Sequence, residues 1–412
     1  MKDAPVIILF LVLVLIAVRQ VGNFRLAIWQ AMLLGAVLVL ACGGIGFKQA
    51  VLAIDFDVML FLFGMFVVGA ALEASGYLAN LSCRIFRSAR SVDLLLLEVL
   101  FATGLTSALL MNDTLAIIGT PVVLYLADRH GINSKLLLLA LAFGVTIGSV
   151  MSPIGNPQNL LIAIHGGIAN PFPVFFKYLL VPTIINLGLA FLVLRLFYRG
   201  HFHGKVLNHS QEPITDPGLA RLCRISLALI LLMVLGKIVL FFVRPELDFR
   251  LTYIALAAAA PILFFSRKRL EIVRRIDWGT LVFFAAMFVL MDSVWRTGFF
   301  QDLMARLKLN ILALPTVMAL SIGLSQLISN VPMVALCLPL LNHAGAKVSQ
   351  MVALAAGSTI AGNLLILGAA SNVIIIQNAE KKTGKSISFL EFARVGIPLT
   401  ALNTLVYWLF LK

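Results

Sequence analysis

Charge is scarce in this chain of 412 residues: Asp, Glu, Lys and Arg together make up 12% of it. With 61% hydrophobic residues and a mean hydropathy of +1.03, too little polar surface remains to cover a water-soluble domain. At about 20 apolar residues per crossing, the length leaves room for roughly ten spans and little else. Cysteine is nearly absent as well. Cys42, Cys83, Cys223 and Cys337 lie in or beside apolar segments without paired spacing, which suggests neither a disulfide framework nor a zinc site. No phosphate-binding Walker loop, nucleophile elbow or metalloprotease helix occurs, so a pump or an intramembrane hydrolase has no chemistry to stand on. The chain is expected to be neither an enzyme nor the holder of a cofactor. Acidic residues are the rarer sign, 18 against 32 basic ones, and the formal excess is +14. Its distribution along the loops reads as membrane topology rather than as a nucleic-acid partner.

Crossings are expected near residues 4–19, 25–42, 54–75, 138–164, 176–197, 219–242, 250–266, 277–296, 350–378 and 393–411. Two further apolar stretches, 93–127 and 311–342, are each interrupted midway by polar residues. Each is expected to form a hairpin that enters and leaves by one face. Under this arrangement most basic residues collect on one side, among them Arg129, Lys135, Arg195, Arg269, Arg274 and Arg394. That side is predicted to be cytoplasmic, which places both termini outside a prokaryotic cytoplasmic (inner) membrane.

What the chain has in place of charge is a duplication. Ile54-Asp55-Phe56 through Gly76 recurs as Ile276-Asp277-Trp278 through Gly298, an offset of 276 − 54 = 222. Ser107, Asn112 and Pro121 match Ser325, Asn330 and Pro339 at an offset of 325 − 107 = 218. Gly144, Thr146, Gly155 and Asn159 then match Gly357, Thr359, Gly368 and Asn372 at 357 − 144 = 213. The predicted organisation is an N-terminal repeat over 1–200, a cytoplasmic linker over 201–218 and a C-terminal repeat over 219–412. An odd number of crossings per half inverts the second copy. The expected fold is an all-α polytopic membrane protein, an inverted repeat of five transmembrane helices plus one re-entrant hairpin per half, with an unwound helix in each. Such a duplicated apolar chain, broken at corresponding places, points to a secondary transporter with its site at the repeat interface.

Four breaks carry the candidate site: Met111-Asn112-Asp113-Thr114, Ser329-Asn330-Val331-Pro332, Gly155-Asn156-Pro157-Gln158-Asn159 and Gly368-Ala369-Ala370-Ser371-Asn372. Proline at 157 and 332 removes a backbone donor and frees carbonyls one turn earlier, and freed carbonyls coordinate cations. Asparagine at 112, 159, 330 and 372 offers an amide oxygen to a cation and an amide N–H pair to an anion, without the desolvation cost of a charge. Half-helices restarting after each break present unpaired N–H groups to an anionic ligand. Cation coupling is therefore expected at Asn112, Asp113, Gly155, Asn159, Ser329, Asn330, Gly368 and Asn372. A small anionic substrate is expected against Asn112, Thr114, Asn156, Asn330, Ser371 and Asn363.

These residues give the chain its likeness to a known family. It resembles the ion transporter superfamily of divalent anion/sodium symporters, citrate-metal carriers, arsenite efflux permeases and sodium/proton antiporters, and within it the general anion-permease branch. Symporters of the dicarboxylate and sulfate kind carry Ser-Asn-Thr at each hairpin tip and Gly-Thr-Pro-Pro-Asn in each unwound helix. Here the tips read Asn112-Asp113-Thr114 and Ser329-Asn330, and the unwound segments read GNPQN and GAASN. The resemblance implies an elevator-like secondary active transporter, coupled to sodium or protons, with a scaffold that mediates a homodimer. Arsenite or antimonite efflux and sodium/proton exchange remain open beside anion uptake, as does an anion channel. Asp113 is the sharpest residue: its match is Val331, so only one half has a titratable tip, and an ionised group at the midplane costs at least about 2.5 kcal/mol unless paired, protonated or bound to a cation. Glu98, Asp292, Glu73 and Lys237 are read as charges reaching an interface by snorkelling or helix-end placement. His201, His203 and His209 are read as part of a solvated linker.

Overall fold

The computed structural model describes residues 4–18, 20–21, 24–25, 28–77, 80, 89–201, 214–243, 249–299, 302, 310–383 and 387–412. Cys83, His203 and His209 lie outside them, and His201 is described in its backbone alone. The first half runs α1 (Ala4–Val18), a two-residue antiparallel pair β1 (Gln20–Val21) and β2 (Phe24–Arg25), α2 (Ile28–Ala41), α3 (Phe47–Ala53) and α4 (Phe56–Ala74). It continues with α5 (Val92–Leu110), α6 (Asn112–His130), α7 (Ser134–Ser149), α8 (Pro157–His165) and α9 (Pro171–Phe197). The second half repeats the helix order: α10 (Pro217–Val243), α11 (Leu251–Phe265), α12 (Arg269–Arg275), α13 (Trp278–Trp295), α14 (Leu314–Ile328), α15 (Asn330–His343), α16 (Val348–Ile360), α17 (Ala370–Thr383) and α18 (Phe389–Leu411). The short helices α3 and α12 begin and end at positions 222 apart, as the sequence repeat requires (269 − 47 and 275 − 53).

Among the described residues, six helices are long and apolar enough to cross a membrane: α4, α5, α9, residues Pro217–Lys237 of α10, α13 and α18. Five of these are expected crossings. The sixth, α5, was expected as the first arm of a hairpin. The remaining expected crossings are built from shorter pieces. Those near 138–164 and 350–378 divide into α7 with α8 and α16 with α17, because the Gly-Asn-Pro and Gly-Ala-Ala segments interrupt the hydrogen-bond ladder.

Helices α7 and α16 run through the centre, and from Leu136 and Met351 onward both are buried on every face. This explains their lack of a polar stripe. Small residues let neighbours approach. A Cβ on Gly144 would stand 2.4 Å from Thr103 Oγ1 on α5, and one on the matched Gly357 would stand 2.9 Å from Ser321 Cβ on α14. The same pair of helices is thus sealed by the same kind of contact in each half, the small-residue packing that apolar helices use where no water drives them together. Outward faces carry Leu192, Leu196, Leu232, Leu235, Leu405 and Phe410 exposed. A bilayer covers such a surface; water does not.

Packing between the halves is reciprocal. Helix α4 lies on α11 while α13 lies on α2, and α6 meets α17 while α15 meets α8. Each half therefore completes its packing with elements of the other.

Candidate functional site

The hairpin tips are set by backbone strain at matched positions. Met111 (φ 68, ψ 141) ends α5 and precedes α6; Ser329 (φ 68, ψ 163) does the same between α14 and α15. Among the described residues these are the only non-glycine residues at positive φ, and their offset is again 329 − 111 = 218. Conformations of this kind cost on the order of 1–3 kcal/mol each and persist only where the surroundings over-determine them. Their effect is to turn the chain in a single residue, so that Asn112-Asp113 and Asn330-Val331 begin new helices whose first N–H groups have no carbonyl of a preceding helical turn to bond.

The first half-site closes on itself. Asn112 N–H donates to Gly155 O (2.9 Å), joining the tip to the broken helix, and Asp113 N–H donates to Asn112 Oδ1 (2.9 Å). Asn156 caps α8 by accepting from Asn159 N–H (2.8 Å), while its Nδ2 donates to Ser149 Oγ (2.9 Å) and to Thr359 Oγ1 (3.2 Å). Asn159 Nδ2 donates to the carbonyls of Ser149, Val150 and Ser152 at 3.0–3.2 Å, and its Oδ1 accepts from Thr359 Oγ1 (3.3 Å). The carbonyls freed by the break, which the sequence offered to a cation, are held by the amide of Asn159.

The second half-site has the same backbone plan with fewer donors. Asn372 Nδ2 donates to Gly362 O (2.6 Å), and Gln326 Nε2 donates to Ala361 O (2.8 Å) and Ile322 O (3.1 Å). Six oxygens around it have no hydrogen-bond partner: Thr146 Oγ1, Ser325 Oγ, Gln326 Oε1, Asn330 Oδ1, Ser371 Oγ and Asn372 Oδ1.

Between the tips lies a cavity of about 290 Å³. Asn112, Asp113, Ser329 and Asn330 line it, together with Pro157-Gln158 and Ala369-Ala370 from the two breaks. The four breaks therefore converge. Thr114, Gly155, Asn156, Asn159, Gly368, Ser371 and Asn372 are not part of this lining. Asn363 is placed elsewhere: its Nδ2 donates to Asn403 Oδ1 (3.1 Å) on α18, and Asn403 Nδ2 donates to Asn186 Oδ1 (2.9 Å) on α9. The expected role for Asn363 on the cavity wall has no support in this geometry.

Several lining residues escaped the sequence reading. Asp277 caps α13, accepting from Thr280 N–H (3.0 Å) and Thr280 Oγ1 (2.6 Å), and it faces the cavity with Trp29, Phe283 and Phe284. The match of Asp277 with Asp55 was the available signal, but a matched helix cap looks structural in sequence. A smaller cavity on the far side of Asp113 is lined by Glu73, Thr114, Arg275 and Asp277, so Asp113 stands between two spaces. Asp292 pairs with Arg296 (2.7 Å), and Lys237 Nζ donates to Phe249 O (2.6 Å). Asp55 is engaged by His165, and Asn342 Nδ2 donates to His165 O (2.9 Å). Chemically, the main cavity presents amides, hydroxyls, two carboxylates and aromatic edges, with no Lys or Arg among the described residues that line it.

The sequence profile of the citrate transporter family matches residues 8–352. An uncharacterised transporter of Mycobacterium tuberculosis is 30% identical over 370 residues, covering 85% of this chain and 84% of the relative. A silicon efflux transporter of rice, Oryza sativa subsp. japonica, is 28% identical over 439 residues, covering 91% and 90%. Among solved structures, the YdaH transporter of Alcanivorax borkumensis superposes with a TM-score of 0.61 at 14% identity, covering 100% of this chain and 97% of that one, a likeness of fold. The chain belongs to the citrate transporter family and is a membrane transporter.

Proposed function

From membership of the citrate transporter family as the premise, we propose that this protein is a secondary active transporter of small anions, inorganic oxyanions or di- and tricarboxylates, driven by sodium or protons. The observation that carries the reading is the convergence of two hairpin tips and two broken helices, at matched positions of a duplicated chain, on one cavity. Broken backbone at that depth is tolerable only where it lines a cavity or is buried in protein. The hairpins are re-entrant, the second half is inverted relative to the first, and both termini lie outside. Alternating access is elevator-like, with the hairpins and broken helices moving against a scaffold that forms a homodimer.

The ion pairs support that topology. Arg195–Asp93, Lys135–Glu391 and Lys268–Asp216 each join residues expected on the cytoplasmic side, while Arg250–Asp57 and His165–Asp55 each join residues expected outside. None links opposite faces. The Asp55–His165 contact then closes the outer side, and the cavity beside Asp277 opens inward.

A second reading is favoured by the cavity's charge. Asp113 and Asp277 repel a bare anion, and among the described residues no Lys or Arg lines the main cavity beside them. Efflux of a weak oxyacid that is uncharged at neutral pH, such as arsenite or antimonite, fits that lining; so does a carboxylate arriving with its own cations. The rice relative named for silicon efflux is consistent with this direction. Proteoliposome flux across sulfate, dicarboxylates, citrate, silicate and arsenite, with sodium and pH gradients set independently, decides between the readings. Saturable flux that follows one gradient supports a carrier. Unsaturable flux indifferent to both would make the protein a channel.

A further inference from the structure

Asp113 lines two cavities, and they differ in size and in what surrounds them. The main one, about 290 Å³, has the volume of a small-solute site. The other, about 50 Å³, has room for a few water molecules and for nothing as large as a dicarboxylate. It lies between α4 and α6 beside the loop that joins α12 to α13, with Ala70 and Ile117 on its apolar walls. A Cβ on Gly69 would stand 2.7 Å from Thr114 Cγ2, so the two helices meet there with no room to spare, and the cavity is the space beside that contact. Its lining reaches the surface at one end: Glu73, Arg275 and Asp277 are exposed, whereas Thr114 and Ile276 are each 5% exposed and Asp113 is half-buried.

Charge sorts what can enter. The carboxylates of Glu73, Asp113 and Asp277 line this cavity with one guanidinium, that of Arg275, which also donates to Glu271 Oε1 (2.6 Å). A narrow cleft of that balance concentrates cations and turns anions away. The repeat shows that the carboxylates go together. Glu73 matches Trp295 (295 − 222) and Asp113 matches Val331 (331 − 218), so the half without a carboxylate at its tip has none at the end of the matched helix either. Trp295 is instead stacked on His343, with ring centroids 5.5 Å apart.

We propose that the smaller cavity is a side entrance for water and the coupling cation, separate from the solute cavity, by which that cation passes between Asp113 and the cytoplasm with Glu73 at its mouth. Solute and ion then reach opposite sides of one carboxylate by different paths, one chosen by size and the other by charge. The proposal rests on the cation-coupled reading above and adds to it a path and a residue, Glu73, that touches neither hairpin tip nor main cavity.

Access and flux test it on the full chain. With the four native cysteines replaced by alanine, Ile117→Cys should react with silver ion applied from the cytoplasmic side and resist the bulkier trimethylammonioethyl methanethiosulfonate. A thiol inert to silver overturns the proposal, and so does one that reacts with both reagents, since the space would then admit a solute. For flux, the probe is whichever of sulfate, dicarboxylates, citrate, silicate or arsenite the parent carries saturably. Ala70→Leu fills the smaller cavity and should lower gradient-driven net flux by about tenfold or more, leaving solute-for-solute exchange within about twofold of the parent because exchange need not release the ion. Equal losses in both modes overturn the proposal. Glu73→Gln, at an exposed position, keeps the test open should Ala70→Leu fail to fold: net flux falls about threefold at low ionic strength and recovers as salt screens the mouth. A deficit indifferent to salt, or no deficit, removes Glu73 from the path. Silver access at position 117 in a protein without gradient-driven flux would instead sink the cation-coupled reading and leave the side entrance standing.

Discussion

The two half-sites share one ancestral plan and have been finished differently. In the first, Asn112, Asn156 and Asn159 are consumed by hydrogen bonds to the break they flank, and Thr359 reaches across from the other half to complete the network. In the second, the matched Thr146 finds no partner, and neither do Asn330 Oδ1 and Asn372 Oδ1. One side is a wall of paired amides bearing a carboxylate; the other presents neutral oxygens without hydrogen-bond partners. Pseudo-symmetry of the backbone does not entail equal chemistry, and a transporter that must bind a driving ion and a solute in one cycle gains from unequal halves.

The comparison assumes that matched residues lie on opposite faces of the membrane, and that premise has the largest all-or-none test. Phe47 and Arg269 begin the matched helices α3 and α12, and both are exposed. Single cysteines there should react with an impermeant reagent from opposite sides, at 47 from outside and at 269 from the cytoplasm. Labelling of both from one side breaks the inversion.

Next in size is the carboxylate that only one half possesses. If Asp113 carries a proton, Asp113→Asn mimics the protonated form, abolishes the response of net flux to a pH gradient and spares exchange, which need not release the proton. If it binds sodium, the amide keeps an oxygen but loses the charge, and the sodium concentration for half-maximal flux rises steeply. A variant matching the parent in rate, pH profile and sodium dependence would return Asp113 to a purely structural role.

The tip asparagines should matter alike despite their unequal surroundings. Asn112→Ala and Asn330→Ala are each expected to lower saturable flux by about tenfold or more while the protein stays folded, since each removes a polar group from a cavity wall rather than from packing. Parent-like flux in either variant assigns that asparagine to helix shaping.

The smallest effect is on stability, and it should be lopsided. Thr359→Val strips partners from Asn156, Asn159 and Gln158, all buried, and should cost about 2–3 kcal/mol. Thr146→Val removes a hydroxyl that bonds nothing and should be within about 0.5 kcal/mol of the parent. Equal costs in denaturation would mean that the two networks are equally complete.

The tips and breaks were legible in the sequence because duplication marks them twice: Asn112 with Asn330, Gly155 with Gly368, Asn159 with Asn372. Met111 and Ser329 carry the strain but differ in residue type, so only their place in the repeat announces them. Gln326 is not legible in the sequence for the converse reason, since its match in the repeat is Ala108 and the duplication does not mark it. Asp277 was visible but ambiguous, because a helix cap and a cavity wall look alike until α13 is placed beside the tips. Trp29 comes from a helix distant in sequence and reaches the cavity only through tertiary packing. Asn363 shows the limit of proximity arguments. It follows α16 directly, yet the 3-10 turn after Ile360 rotates it onto α18.

The reciprocal packing of α4 on α11 and of α13 on α2 has a consequence for how such a molecule could arise and how it is made. Gly64 of α4 gives way to the backbone of Ala255, and Gly279 of α13 to the ring of Trp29, so these seams are fitted across the halves rather than within them. A half-length ancestor with this plan would have had no partner for its own α4 and would have been stable only as two copies packed together. In the present chain the two copies are translated one after the other. The first half must therefore wait in the bilayer with α2 and α4 uncovered until residues 251–295 have been synthesised, and the final shape is reached only when the ribosome has nearly finished.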